Sequence, residues 1–131
     1  MTQDEARERL AEEWLGLADE ALASARSEQE AGRGRFAVNR CYYACFYAVS
    51  AVLLREGKTY TKHAAVRQAV HKELVHPSRI PGRFGGFYDD LFASRHEADY
   101  DPSARISADD AVEAIRGAAE FVAEMKRLAV Q

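Results

Sequence analysis

Residues 36–54 read FAVNRCYYACFYAVSAVLL. The run is apolar nearly all the way round, and helices of that composition sit in the middle of a bundle with neighbours on several sides. It predicts a helix from about Arg35 to Glu56, with Gly57 as its C-terminal cap. Working outward, periods of three and four dominate and alternation of period two is almost absent. Upstream, Leu10, Trp14, Leu17, Ala21, Leu22 and Ala25 draw one stripe on a long amphipathic helix from Asp4 to about Glu30. Acids crowd its first turns, where the helix dipole favours them, and Gly32-Arg33-Gly34 ends it. Downstream, a third helix is expected from Lys62 to Val75 behind a Thr61 cap. Pro77 and Pro81 bracket a loop, and a fourth helix runs from Gly86 to about Ala98 with Phe87, Leu91 and Phe92 inward. After the Pro102 break, Ser107 and Asp110 have capping-box spacing at the head of a last helix. That helix would carry Ile115, Ala119, Val122 and Met125 or Lys126 inward. The fold expected is an all-α antiparallel bundle of four to five helices, up and down, with a short helix on one end, in a single domain over 1–131.

Composition sets outer bounds on function. The chain has 131 residues, 47% apolar and 30% charged, with a formal net charge of −3. That balance gives no bulk attraction to nucleic acid or membrane. No run of 18 apolar residues occurs, and the acidic, polar start MTQDEARERL does not read as a signal peptide. A cytoplasmic chain with no membrane partner is the expectation. The charge is segregated, however. Residues 1–31 hold 9 acids and 3 bases, and residues 84–131 hold 10 acids and 5 bases. Between them, residues 32–83 hold 10 bases and 2 acids, together with His63, His71 and His76. Two readings stay open: basic helices packed beside acidic ones, or an anion-binding face for phosphate or RNA backbone.

Few residues carry recognisable chemistry. Cys41 and Cys45 share a helix face, but two thiols without further ligands read as small buried side chains, and no metal or cofactor is implied. No phosphate-binding glycine loop and no nucleophile elbow occurs. Arg40, Tyr43 and Tyr47 form a polar-tipped stripe on the apolar helix, with Asn39 beside them. Their polar ends need partners, either as satisfied core groups or as the lining of a polar site. The densest run is Ser94-Arg95-His96-Glu97-Ala98-Asp99-Tyr100. Arg95 and Asp99 are spaced for an i, i+4 ion pair, and an arginine at a helix end is also placed to hold an anion.

Asn39-Arg40-Cys41-Tyr42-Tyr43-Ala44-Cys45-Phe46-Tyr47-Ala48 resembles the N-R-x-Y-Y-A-x-F-x-A motif of the HEPN superfamily. HEPN stands for higher eukaryotes and prokaryotes nucleotide-binding. The likeness is to its small prokaryotic branch, which adds a histidine after the second helix and a later R-x-x-A-D-Y. Here those are His63 and the segment Arg95 to Tyr100, and the agreement in order and spacing spans nearly the whole chain. The resemblance implies a helical bundle that dimerises and is often encoded beside a minimal nucleotidyltransferase in toxin–antitoxin-like pairs. It also implies an RNA-directed activity. Several members are metal-independent ribonucleases in which an R-x4–6-H arginine holds the phosphate and the histidine moves a proton.

By that resemblance Arg95 is the anion contact, and Asn39, Arg40, Tyr43, His63, His96 and Asp99 shape the cleft. This chain reads R-x4-Y, so a phenol with an ordinary pKa of about 10 replaces the imidazole. His96, adjacent to Arg95, points about 100° away from it on a helix. In related pairs the partner adenylylates a tyrosine near the motif, and Tyr100 is the matching position, so the resemblance leaves Tyr100 either a catalytic residue with Arg95 or a modification acceptor. A different class of function, a non-catalytic nucleotide-binding or protein-interaction helical dimer, fits the same residues. Dimerisation is expected on physical grounds too, since the second helix has more apolar faces than a small bundle covers.

Overall fold

The computed structural model describes residues 1–130. Among them are five helices and no strand: α1 (Gln3–Glu30), α2 (Gly34–Arg55), α3 (His63–Ala69), α4 (Gly82–Tyr100) and α5 (Ala108–Ala129). The expected all-α bundle is the one observed. α1 starts with a full capping box, which the sequence reading did not anticipate. Glu5 N–H donates to Thr2 Oγ1 at 3.1 Å, and Thr2 N–H donates back to the Glu5 carboxylate at 3.3 Å. α1 and α2 end in the same way. Gly32 (φ +79°) and Gly57 (φ +77°) take the left-handed backbone that favours glycine. At the second of these, Gly57 N–H donates to Leu54 O and Lys58 N–H to Leu53 O, both at 2.9 Å.

Three local expectations need correction. Thr61 does not cap α3: Lys62 holds the cap position, with no side-chain bond. After Ala69 that helix widens over Val70–Val75, where His76 N–H reaches back five residues to His71 O at 2.8 Å. α4 begins at Gly82, four residues ahead of the expected Gly86. Its glycines did not break it because packing overrides propensity there. An added Cβ at Gly85 would lie 2.9 Å from His71 Cε1, so close contact with the widened turn requires a glycine within the helix. At α5, Ser107 Oγ accepts from Asp110 N–H at 3.0 Å, but the return half of a box is missing.

Cross-links fix the directions. Arg55 pairs with Glu8, Arg40 Nε donates to Ser24 and Trp14 packs on Tyr47, so α1 and α2 run antiparallel. Asn39 meets Asp99 and Tyr42 meets Phe92, so α2 and α4 do too. Arg83 meets Glu120 and Phe84 meets Phe121, which sets α4 against α5. One contiguous cluster of buried side chains draws on every helix. α2 is central, as its composition implied; away from its ends, where Phe36 is exposed, a stripe including Asn39, Arg40, Tyr43, Phe46, Tyr47 and Ser50 is half-exposed. By length and composition α2 could cross a bilayer, but most of its residues are buried against the other helices.

The inward face of α1 is the expected one in its second half, at Ala21, Leu22 and Ala25, but not in its first. Ala11, Ala18, Ala21, Leu22 and Ala25 are buried, whereas Leu10 and Leu17 are 45% and 42% exposed. Cys41, Ala44, Cys45 and Ala48 of α2 belong to the same buried cluster as Ala18, Ala21, Leu22 and Ala25. Small residues on both sides let the two helices approach closely. On α5, Met125 is buried while Lys126 reaches out to Asp19 at 2.8 Å.

Candidate functional site

The chemistry-bearing segment lies on about the last two turns of α4, which stays helical to Tyr100. Helical geometry therefore divides it into two faces. Arg95 points into the bundle and is only 9% exposed, whereas Tyr100 points out and is 72% exposed. His96 goes with Tyr100, their ring centroids 4.6 Å apart, and both are solvent-facing. The run therefore makes two separate features: an inward arginine and an outward histidine–tyrosine pair.

The inward arginine stands at one end of a polar chain. Arg95 Nη1 donates to Asp99 Oδ2 at 3.0 Å, the i, i+4 pair expected from spacing. Asn39 Nδ2 donates a long 3.5 Å bond to Asp99 Oδ1, and Arg40 Nη1 donates to Asn39 Oδ1 at 2.7 Å. Arg40 Nε continues to Ser24 Oγ at 3.2 Å. Asn39, Arg40, Arg95 and Asp99 thus belong together, as the sequence suggested. Arg95 Nε is buried with no hydrogen-bond partner, a state native proteins rarely leave unexplained. Its guanidinium carbon sits 4.7 Å above the Tyr42 ring and 6.0 Å from the Phe92 centroid.

His63, on the first turn of α3, joins the site through a residue that sequence reasoning missed. Tyr42 is fully buried, and its hydroxyl lies 2.7 Å from His63 Nδ1. The imidazole stacks on Phe46 with centroids 4.7 Å apart, and Tyr43 meets it edge-on at 5.8 Å. Burial, reinforced by the positive charge of Arg95, holds the His63 pKa below its ordinary value. Burial also pushes the Tyr42 phenol up. The Tyr88 phenol is raised by burial as well, and its hydroxyl is buried without a hydrogen-bond partner. The signal for Tyr42 was present in the sequence, since a tyrosine in an apolar helix needs a hydroxyl partner and a histidine followed downstream. What was absent was any clue that Arg95 lies over its ring. Cys41 and Cys45 are fully buried, as read. Burial pushes Cys41 up to about 12 and raises Cys45 as well, so both stay neutral.

The basic centre of the chain is partly neutralised internally. Six of its ten bases pair with carboxylates, among them Arg55 with Glu8, Lys58 with Glu73, Arg67 with Asp89, Arg79 with Glu56 and Arg83 with Glu120. Arg35 donates instead to the carbonyls of Asp101, Pro102 and Ala104, tying the loop before α5 to the start of α2. Among the described residues Lys62 and Lys72 have no such partner. Lys72 lines a shallow groove with Arg67, His71 and His76. Another groove, about 660 Å³ between α4 and α5, has a rim with more acids than bases and contains neither Arg95 nor Tyr100. An acidic rim suits neither phosphate nor RNA.

Comparison with known proteins follows the same lines. A solved structure from Thermus thermophilus, TT1696, superposes with a TM-score of 0.77 over 90% of this chain and 97% of its own, at 18% identity, which is a likeness of fold. The UPF0332 protein of Thermotoga maritima is 34% identical over 122 residues, 93% of this chain and 92% of that one. A Methanocaldococcus jannaschii protein named "Putative toxin MJ0142" is 32% identical over 76 residues, 58% of this chain and about half (52%) of its own. The model of the HEPN domain matches residues 11–128, spanning the polar chain, the aromatic seat of Arg95 and the outward Tyr100, and the protein therefore belongs to the HEPN family.

Proposed function

We propose that this chain is the toxin-like, RNA-directed member of a two-protein system whose other member is a minimal nucleotidyltransferase. It works as a cytoplasmic homodimer. Arg95 is the anion contact, Asn39, Arg40, Tyr43 and Asp99 shape the cleft around it, and Tyr100 is the acceptor of an adenylyl group. The observation that carries the assignment of Tyr100 is its exposure of 72% beside an Arg95 exposed by only 9%. Two residues on different faces of one helix do not act together on a single phosphate within one protomer. An exposed phenol at a helix end is, in contrast, open to a partner enzyme. The toxin-named relative supports the toxin-like reading. In the transfer, the Tyr100 phenol oxygen attacks the α-phosphorus of ATP. The bond from that phosphorus to the pyrophosphate oxygen breaks, pyrophosphate leaves with the electron pair, and the phenol proton passes to a base of the partner enzyme.

Incubation with the partner and ATP, followed by intact mass measurement, tests this. Wild type is expected to gain the mass of an adenylyl group, Tyr100→Phe to gain nothing, and Arg95→Lys to react nearly as wild type. An equal gain in Tyr100→Phe would exclude Tyr100 as the sole acceptor. Labelled RNA tests the other half: cleavage that disappears in Arg95→Ala marks an enzyme. Binding without cleavage marks the second reading, a non-catalytic binding module. The ion pair that already occupies Arg95 Nη1 favours that second reading.

A further inference from the structure

Arg95 is weakly tethered for a buried charge. Nη1 bonds to Asp99, Nε has no partner, and among the described residues no other hydrogen bond restrains the guanidinium. One bond leaves a planar fork free to swing about it. What defines its plane is the aromatic surface beneath, with Tyr42 at 4.7 Å and Phe92 further off at 6.0 Å. Tyr42 is in turn held at its far end, with its hydroxyl 2.7 Å from His63 Nδ1. His63 is itself stacked at 24° on Phe46 and at 29° on the Tyr42 ring. The orientation of an arginine on α4 thus depends on a ring from α2 and a histidine from α3.

We infer that Tyr42, anchored by His63, is the positioning residue of Arg95, fixing the plane in which the guanidinium meets an oxyanion. This rests on the reading of Arg95 as the anion contact. Tyr42 touches no substrate in this scheme, and its effect passes wholly through Arg95. A neutral imidazole with its hydrogen on Nε2 accepts the Tyr42 hydroxyl proton at Nδ1. Losing that bond lets the phenol tilt and the guanidinium follow.

The test reads Arg95 directly. A proton lying over a ring face is shifted upfield, so in a proton–nitrogen correlation spectrum the Arg95 Hε is expected upfield of exposed arginines. Tyr42→Phe keeps the ring and the packing but loses the anchor, and His63→Ala removes the acceptor from a half-buried site. Both are expected to move the Hε resonance toward the exposed arginines. Both should also weaken binding of a fluorescein-labelled single-stranded RNA oligonucleotide about 3- to 10-fold, the range of one lost cation–π contact. His63→Gln, which keeps an acceptor, is expected to restore most of both losses, as a merely structural histidine would not. A wild-type Hε at the position of exposed arginines would overturn the inference. So would an Hε unmoved in both Tyr42→Phe and His63→Ala. If the spectral pattern appears but no RNA binds at low salt, positioning stands and the RNA reading fails.

Discussion

At the scale of single residues, the site turns on two side chains with opposite demands. Arg95 is buried and needs its fork, since a lysine at that position would offer a point charge with neither bidentate reach nor a planar face for Tyr42. Arg95→Lys is therefore expected to lower RNA affinity at least about tenfold, by anisotropy, with little change in helical content. His63 has the opposite problem, being easily buried only while neutral. Its folded pKa lies below the unfolded value of 6.5. The unfolded chain then binds the proton first, so the contribution of His63 to stability is fully present above 6.5. It is lost as pH falls from there through the lower folded value. Urea midpoints measured from about pH 8 to pH 5 should decline more for wild type than for His63→Gln, whose side chain does not titrate. A parallel decline would remove His63 from the account. Arg95 with Asp99 was legible from i, i+4 spacing and Asn39 with Arg40 from adjacency, whereas the meeting of the two pairs across α2 and α4 was implied only by the family resemblance. Tyr42 was not, because Arg95 lies 53 residues from it and no local pattern reports which ring a distant guanidinium covers.

Among the elements, α2 was legible and α4 only in part. An apolar helix ending in a glycine with its own hydrogen-bond pattern leaves little choice about where it stops, and Gly57 carries that pattern. Gly57→Ala is expected to cost about 1 kcal/mol in chemical denaturation, the penalty of forcing a Cβ into left-handed backbone. The start of α4 was misread because Gly85-Gly86 looks like a loop. In the fold Gly85 makes room for His71, a constraint that no propensity scale contains. α5 conceals a similar fit. An added Cβ at Gly117 would lie 2.3 Å from Phe87 Cε1. Gly117→Ala should cost about 1–3 kcal/mol by overpacking, despite the better helix propensity of alanine. Phe87→Leu in the same chain should recover part of that loss. Stabilisation by Gly117→Ala alone would show that Phe87 moves aside freely.

Over the whole molecule, charge and apolar surface decide what remains outside the bundle. Six of the ten basic residues of the central segment are paired with acids, four of them with acids of the outer segments, so the intramolecular reading accounts for about half of its excess of eight positive charges. Lys62→Glu with Lys72→Glu therefore tests the anion face cleanly. RNA binding should weaken and its salt dependence flatten, with an unchanged urea midpoint. Arg67→Glu is a poorer probe, because it would set a second carboxylate against Asp89 and lower stability. Leu10, Leu17 and Phe36 are among the large apolar side chains left exposed, and the proposed dimer would use such surface. Sedimentation at tens of micromolar is expected to show a dimer, and Leu10→Glu with Leu17→Glu is expected to shift it to a monomer that keeps its helical content. Segregated charge was legible along the chain, whereas its mutual cancellation became visible only once the helices were placed side by side.

The alanine seam between α1 and α2 has a consequence for how this protein tolerates change. Ala18 and Ala25 share one buried cluster with Cys41, Ala44 and Ala48, and close-packed interiors absorb added methylenes poorly. In a saturation scan scored on folding alone, the usual ranking should therefore invert. The large leucines at 10 and 17 would accept nearly anything, and the plainest residues in the helix would accept almost nothing but glycine or serine. Homologues drifting apart would then keep a ladder of small side chains at those steps while the neighbouring leucines scatter. The memory of the fold in this helix would reside in its smallest letters.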